Sequence, residues 1–224
     1  MSNILVVVAH PDDEVLGMGG SIVRQVLQGD DVHVLIVGGW CSPYTRHMPV
    51  WKDLEKRARQ ANNVLGSQVE VFGYPDQLLD TLQLIKLTQR IEDAISKINP
   101  SDVYTHYRND VNRDHNIVSE AVMVATRPYP GQCVASVFMF ETPSSTEWNF
   151  TNDRFCPNVF IELDDDMFDK KIAALHCYGS EMRPTPHPRS FDAIRHQMAY
   201  RGSQAGFDHA EAFQIARACI GVQK

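Results

Sequence analysis

A chain of 224 residues with 43% apolar content has the size and composition of one α/β domain with a single packed core. A formal net charge of −7 argues against nucleic acid as the main partner, because phosphate binding wants a basic face. Five scattered cysteines, none spaced as CxxC, argue against a disulfide frame or a thiolate metal site and suit the reduced thiols of a cytoplasm. The opening residues lack a basic start, and their apolar run is too short for a signal peptide or a membrane helix.

Ile4–Val8 and Val32–Val37 are near-continuous β-rich runs, the pattern of strands covered on both faces. Between them Ile22, Val23, Val26 and Leu27 share one helical face that stops at Gly29. The chain then reads as a helix Trp51–Leu65 closed by Gly66, a strand Val69–Phe72, a long helix Thr81–Ile98 and a strand Val103–Thr105. A helix Asp114–Ala125 and a strand Val134–Phe140 complete an alternating order that predicts a mostly parallel sheet between helices, a Rossmann-like three-layer sandwich. Beyond Phe140 come a further strand Val159–Leu163 and helices Asp165–Leu175, where the acidic run Asp164-Asp165-Asp166 reads as a helix start, and Phe191–Tyr200. Ala212–Ile220 fits either strand or helix. No linker divides residues 1–224, so a single domain is expected.

Two polar concentrations interrupt this pattern. His10-Pro11-Asp12-Asp13-Glu14 follows the first strand, and His106-Tyr107-Arg108-Asn109-Asp110-Val111-Asn112-Arg113-Asp114-His115 follows the fourth. Buried carboxylates are costly unless paired or bound to a metal. In a parallel sheet both strand ends open onto one edge, where α/β proteins place their ligands. Two histidines and one carboxylate make a three-ligand metal site with positions left for water and substrate. Asp12 and Asp13 are adjacent and point apart on a tight turn, so one can bind while the other faces a water that the metal acidifies. A helix N-terminus at His115, with Asp114 as its capping carboxylate, is expected to keep that imidazole neutral.

Ala9-His10-Pro11-Asp12-Asp13-Glu14, Gly17-Met18-Gly19-Gly20 and Asp114-His115 resemble the LmbE-like/PIG-L family of metal-dependent N-deacetylases. Tyr74-Pro75-Asp76, Arg189-Ser190, Arg201-Gly202 and Ala210-Glu211-Ala212-Phe213 extend the likeness over almost the whole chain. The resemblance implies His10, Asp13 and His115 as ligands of zinc, or of another divalent ion such as Fe2+, at the C-terminal edge of the strands. It implies Asp12 as general base and a metal-bound water as nucleophile, releasing acetate from an N-acetylated amino sugar or its conjugate. An amidase of a larger sugar or thiol conjugate, or a non-catalytic sugar-binding protein, is the alternative. The chain departs from the family's His-Pro-Asp-His, whose first histidine assists the tetrahedral intermediate; Asn112 stands there. Asn112 can donate to an oxyanion but cannot carry charge, so Asp12 alone or His106 has to fill the role. Asn112, Asp114 and His106 therefore join Asp12 as catalytic candidates.

Weaker features concern the substrate, expected to be a small molecule, with a homo-oligomer possible. Glu14 suits either the orientation of a ligand histidine or a helix cap. Gly17–Gly20 lets the backbone run close beneath the site, or offers N–H groups to a substrate phosphate. Asp76 reads as a sugar-hydroxyl acceptor or a turn residue. Trp40 and Arg46, at and after the second strand, suit a sugar ring and an anionic aglycone, or merely a cover for the pocket. His187 and Arg189, in the proline-rich run 184–189, form a substrate wall or a surface connector.

Overall fold

The computed structural model describes residues 1–40 and 51–221, with only the backbone of Trp40, Trp51 and Lys52. The strands are β1 Asn3–Val8, β2 Asp31–Trp40, β3 Gln68–Pro75, β4 Asp102–His106, β5 Ser136–Phe140, β6 Val159–Glu162 and β7 Ala210–Ala218. The helices are α1 Asp13–Leu27, α2 Trp51–Leu65, α3 Leu84–Ile98, α4 Arg113–Ala125, α5 Asp165–Cys177 and α6 Phe191–Ser203. Among the described residues the strands form one sheet in the order β3-β2-β1-β4-β5-β7-β6. All neighbours from β3 to β5 run parallel, and β7 is antiparallel to both β5 and β6.

The central strand shows why the middle layer reads as a continuous apolar run. Ile4, Val6 and Val8 enter the core with α1, α2, α5 and α6, whereas Leu5, Val7 and Ala9 enter the core with α3 and α4. Both faces of β1 are covered, so every position from Ile4 to Val8 is buried. Asp164 caps α5 by accepting from the Met167 N–H at 2.9 Å, as its carboxylate predicts.

One open sequence reading is resolved and two expectations are corrected. Of the two alternatives for Ala212–Ile220 the strand is the one formed, with shifted bounds: it is β7, inserted antiparallel between β5 and β6. The long helix begins at Leu84, because Leu79–Thr81 makes a separate 3-10 turn with Leu79 buried and its N–H bonded to Asp114. β5 starts two residues late, since Ala135 and Ser136 both donate to the Ser101 carbonyl rather than extending the ladder.

The glycine run also acts differently. Met18 leaves helical geometry (φ −151°), which kinks α1 and leaves the buried N–H groups of Gly20 and Ser21 to a partner outside the helix. The Glu211 carboxylate takes both, at 3.0 and 2.7 Å, and the buried Lys171 ammonium holds Glu211 at 2.6 Å and the Leu16 carbonyl at 2.9 Å. Those donors are therefore spent inside the protein and unavailable to a substrate phosphate. Gly17 is required by space: a Cβ there would sit 2.2 Å from the Phe140 ring.

Candidate metal centre

Parallel pairing of β1 with β4 brings His10 and His106 to the same sheet edge. The Ala9 N–H donates to His106 Nε2 at 2.9 Å, which ties the two strand ends together. The chain then turns at Asp12, whose φ of 117° lies in the left-handed region that non-glycine residues avoid. Glu14 holds this turn. Its Oε2 accepts the Asp12 N–H at 3.1 Å, and its Oε1 accepts from the Tyr178 hydroxyl at 2.7 Å and the Asn62 amide at 3.0 Å. Glu14 therefore fixes the Asp12 backbone rather than orienting a histidine. Burial pushes its carboxyl up to about 7.

The turn places His10, Asp13 and His115 face to face. His10 Nδ1 and His115 Nε2 each lie 3.3 Å from Asp13 Oδ2. All three donor atoms fall within 4.8 Å of one another. A tetrahedral ion with ligand bonds of about 2.0 Å needs donors about 3.3 Å apart, so the spacing fits. Asp13 and His115 are fully buried, yet Asp13 Oδ1 and His115 Nε2 have no hydrogen-bond partner among the described residues. Unpartnered buried polar atoms of this kind are costly unless a ligand satisfies them, and a divalent ion fits both.

Further carboxylates turn each imidazole toward that point. Asp110 Oδ2 lies 3.2 Å from His115 Nδ1, and Asp110 is itself held by the Ser145 and Thr146 hydroxyls and by the Asn112 N–H. His10 Nε2 faces Asp76 Oδ1 at 2.9 Å and Asp114 Oδ2 at 3.2 Å. Such carboxylate–imidazole pairs fix the ring and raise its basicity. Burial alone would lower both imidazoles. Against it, the Asp114, Asp13 and Asp76 carboxylates hold His10 well above the ordinary histidine value, and Asp13 and Asp110 raise His115. The carboxylates beside His115 thus oppose the effect expected of the helix N-terminus. Asp13 is driven the other way: burial raises it, but His115 and His106 bring it well below the usual carboxylate range.

Asp12 lies beside this centre with Oδ2 2.8 Å from Arg189 Nη1. Burial pushes its carboxyl up to about 7, despite the Arg189 charge that opposes the rise. Arg189 therefore sits against Asp12 and is not a surface connector. His187 packs edge-on to Trp148 at 6.1 Å, and its Nδ1 accepts the Arg189 N–H.

The catalytic candidates of the fourth strand end are differently employed. His106 is fully buried and stacked on His115 at 3.9 Å, with Nε2 on the Ala9 N–H and Nδ1 facing the Thr142 hydroxyl at 3.1 Å. Burial, then the His115 charge, lowers it to about 3. Both nitrogens are occupied, so it serves as a strand-end anchor rather than a proton carrier. Asn112, not Asp114, caps α4, with its Oδ1 accepting the Asp114 N–H at 2.9 Å. Asp114 instead accepts the Gln77 and Leu79 N–H groups at 2.7 and 3.2 Å while facing His10. Asp76 likewise spends Oδ1 on His10. Arg46 and the side chain of Trp40 lie outside the described residues.

Sequence reasoning missed Asp110, Ser145, Tyr178 and Asn62. Only Asp110 left a signal, as a carboxylate within the polar segment that ends at His115. The other three come from distant elements and meet the site only through tertiary folding.

The comparisons with known proteins agree with this geometry. Residues 5–126 match the family model PIG-L, described as GlcNAc-PI de-N-acetylase. An uncharacterised deacetylase of Escherichia coli K12, YaiS, is 31% identical over 79% of this chain and 90% of its own. A probable N-acetyl-alpha-D-glucosaminyl L-malate deacetylase 2 of Bacillus cereus is 27% identical over 80% of this chain and 83% of its own. Among solved structures, the 4-carboxy-2-hydroxymuconate hydratase GalB of Pseudomonas putida KT2440 superposes with a TM-score of 0.75. It is 25% identical, with both chains fully covered. The chain belongs to the PIG-L family.

Proposed function

We propose that the protein is a zinc-dependent N-deacetylase that removes the acetyl group of an amino sugar or amino-sugar conjugate. The observation that carries this reading is the buried His10–Asp13–His115 donor set with Asp12 held beside it. When bound, a divalent ion polarises an amide carbonyl and acidifies a water. Asp12 takes the proton of the attacking water and passes it to the departing nitrogen, so that amide and water become amine and acetate. A carboxyl near neutrality suits both halves of that transfer. Asp110 keeps His115 Nε2 turned inward, and Asp76 with Asp114 does the same for His10 Nδ1. The Asn112 side-chain nitrogen is the hydrogen-bond donor assigned to the negative charge that develops on the acetamide oxygen. Trp40, Arg46, His187 and the second carboxylate oxygen of Asp76 are assigned to the sugar. We place the enzyme in the cytoplasm; among the described residues no helix is long and apolar enough to cross a membrane.

The likeness to GalB supports a second reading, in which the same ion and carboxylate add water across a conjugated carbon–carbon double bond. A panel of N-acetylhexosamines, with their nucleotide and glycoside conjugates, is to be assayed for acetate with the zinc-loaded protein. An unsaturated hydroxy-carboxylate is followed by ultraviolet absorbance in parallel. Acetate release that disappears in Asp12→Asn supports deacetylation; absorbance loss without acetate overturns it in favour of hydration.

A further inference from the structure

Asp12 is gripped from two directions by a single stretch of chain. The segment between α5 and α6 runs from Tyr178 to Ser190. At its start, the Tyr178 hydroxyl donates to Glu14 Oε1, and Glu14 Oε2 receives the Asp12 N–H. At its end, Arg189 Nη1 donates to Asp12 Oδ2 at 2.8 Å. Arg189 is itself fixed at three points: its Nε donates to the Ser144 hydroxyl at 2.8 Å, its N–H donates to His187 Nδ1 at 3.0 Å, and Ser190 caps α6. Ser145, the neighbour of Ser144, bonds the Asp110 carboxylate that faces His115. The guanidinium thus spans from the Asp12 carboxylate to the network that orients a metal-facing histidine. A left-handed, non-glycine Asp12 persists only where its surroundings over-determine it, and a charge-assisted bond from a rigid guanidinium supplies that constraint.

We propose that Arg189 is a positioning residue for Asp12, and that the segment from Tyr178 to Ser190 holds that carboxylate in place for the reaction. Its kinetic consequence rests on the deacetylase reading; its structural consequence does not. A guanidinium that merely anchored an anionic substrate group would act on binding, whereas one that holds Asp12 acts on turnover.

The test compares zinc-loaded wild type, Arg189→Ala and Tyr178→Phe, by acetate release and by crystal structure. Arg189→Ala is expected to keep its zinc and lose on the order of 10²-fold in kcat with KM little changed, because a misplaced base forfeits most of its acid–base contribution. Guanidinium chloride at a sub-denaturing concentration is expected to restore roughly tenfold of that loss in Arg189→Ala and nothing in Tyr178→Phe. The Asp12 carboxylate is expected to leave its wild-type position in the Arg189→Ala crystal structure. An increase in KM with kcat unchanged, or an unmoved Asp12 carboxylate, overturns the proposal. If wild type releases no acetate, the deacetylase reading fails, and the position of Asp12 in the variant still decides whether Arg189 holds it.

Discussion

At the scale of single residues, the centre sets a buried carboxylate against two imidazoles in an arrangement that could hold a metal ion. Asp13 carries negative charge in a fully buried position, and His10 and His115 stand 3.3 Å away with their other nitrogens on carboxylates. Metal binding requires both imidazoles to lose a proton, and their neighbouring carboxylates raise the value at which they do so. A raised imidazole is protonated to higher pH, so zinc affinity is expected to fall as pH drops, beginning above the ordinary histidine range near 6.5. Calorimetry of zinc binding in buffers of different ionisation enthalpy should record proton release at neutral pH; binding with no release would contradict the ligand set. His115→Ala should lose both zinc and activity. Asp12→Asn should retain zinc while turnover falls by roughly 10²–10⁴-fold, the usual weight of a general base, as judged by metal analysis and acetate assay of one preparation.

At the scale of elements, legibility followed the range of the interaction. Ile4–Val8 was readable because burial on both faces leaves an unbroken apolar run, and Trp51–Leu65 because a stop at Gly66 is local. β7 was ambiguous because its sequence mixes small, charged and apolar residues with no clean period, while its partners β5 and β6 are distant in sequence. Glu211 entered the sequence reading only through the family likeness; it is buried with Lys171 and closes the kink of α1. Glu211→Ala leaves the buried Lys171 ammonium without its counter-charge and two backbone N–H groups without their acceptor, and should cost about 3–5 kcal/mol in urea unfolding. A change below about 1 kcal/mol would mean that this pair behaves like a surface one. Gly17→Ala should cost about 1–3 kcal/mol by overpacking against Phe140.

At the scale of the whole molecule, the parallel sheet explains why residues 10 and 115, remote in sequence, share one centre. Alternating elements imply that arrangement, and the two polar segments at strand ends mark its edge, so the candidate donors were legible as a pattern, while the choice of His10, Asp13 and His115 among them came with the family resemblance. What surrounds them was less so: Asn62, Ser145 and Tyr178 arrive from distant elements, and local sequence carries no trace of their meeting. Metal binding couples to the stability of the whole fold, because the native state alone assembles the site. Zinc at about a hundredfold excess over its Kd should stabilise by roughly 2.7 kcal/mol, about 5–10 °C in Tm for a domain of this size. Equal Tm with zinc and with chelator would count against the centre.

The most direct test is a zinc titration of the chelated protein, with acetate and free amine counted from one N-acetylglucosamine conjugate turned over by the wild type. The account predicts that the two products appear in equal amounts, that their rate grows with zinc until the site is filled, and that Asp12→Asn stays silent at full zinc occupancy. Acetate release independent of zinc, or undiminished in Asp12→Asn, would contradict it.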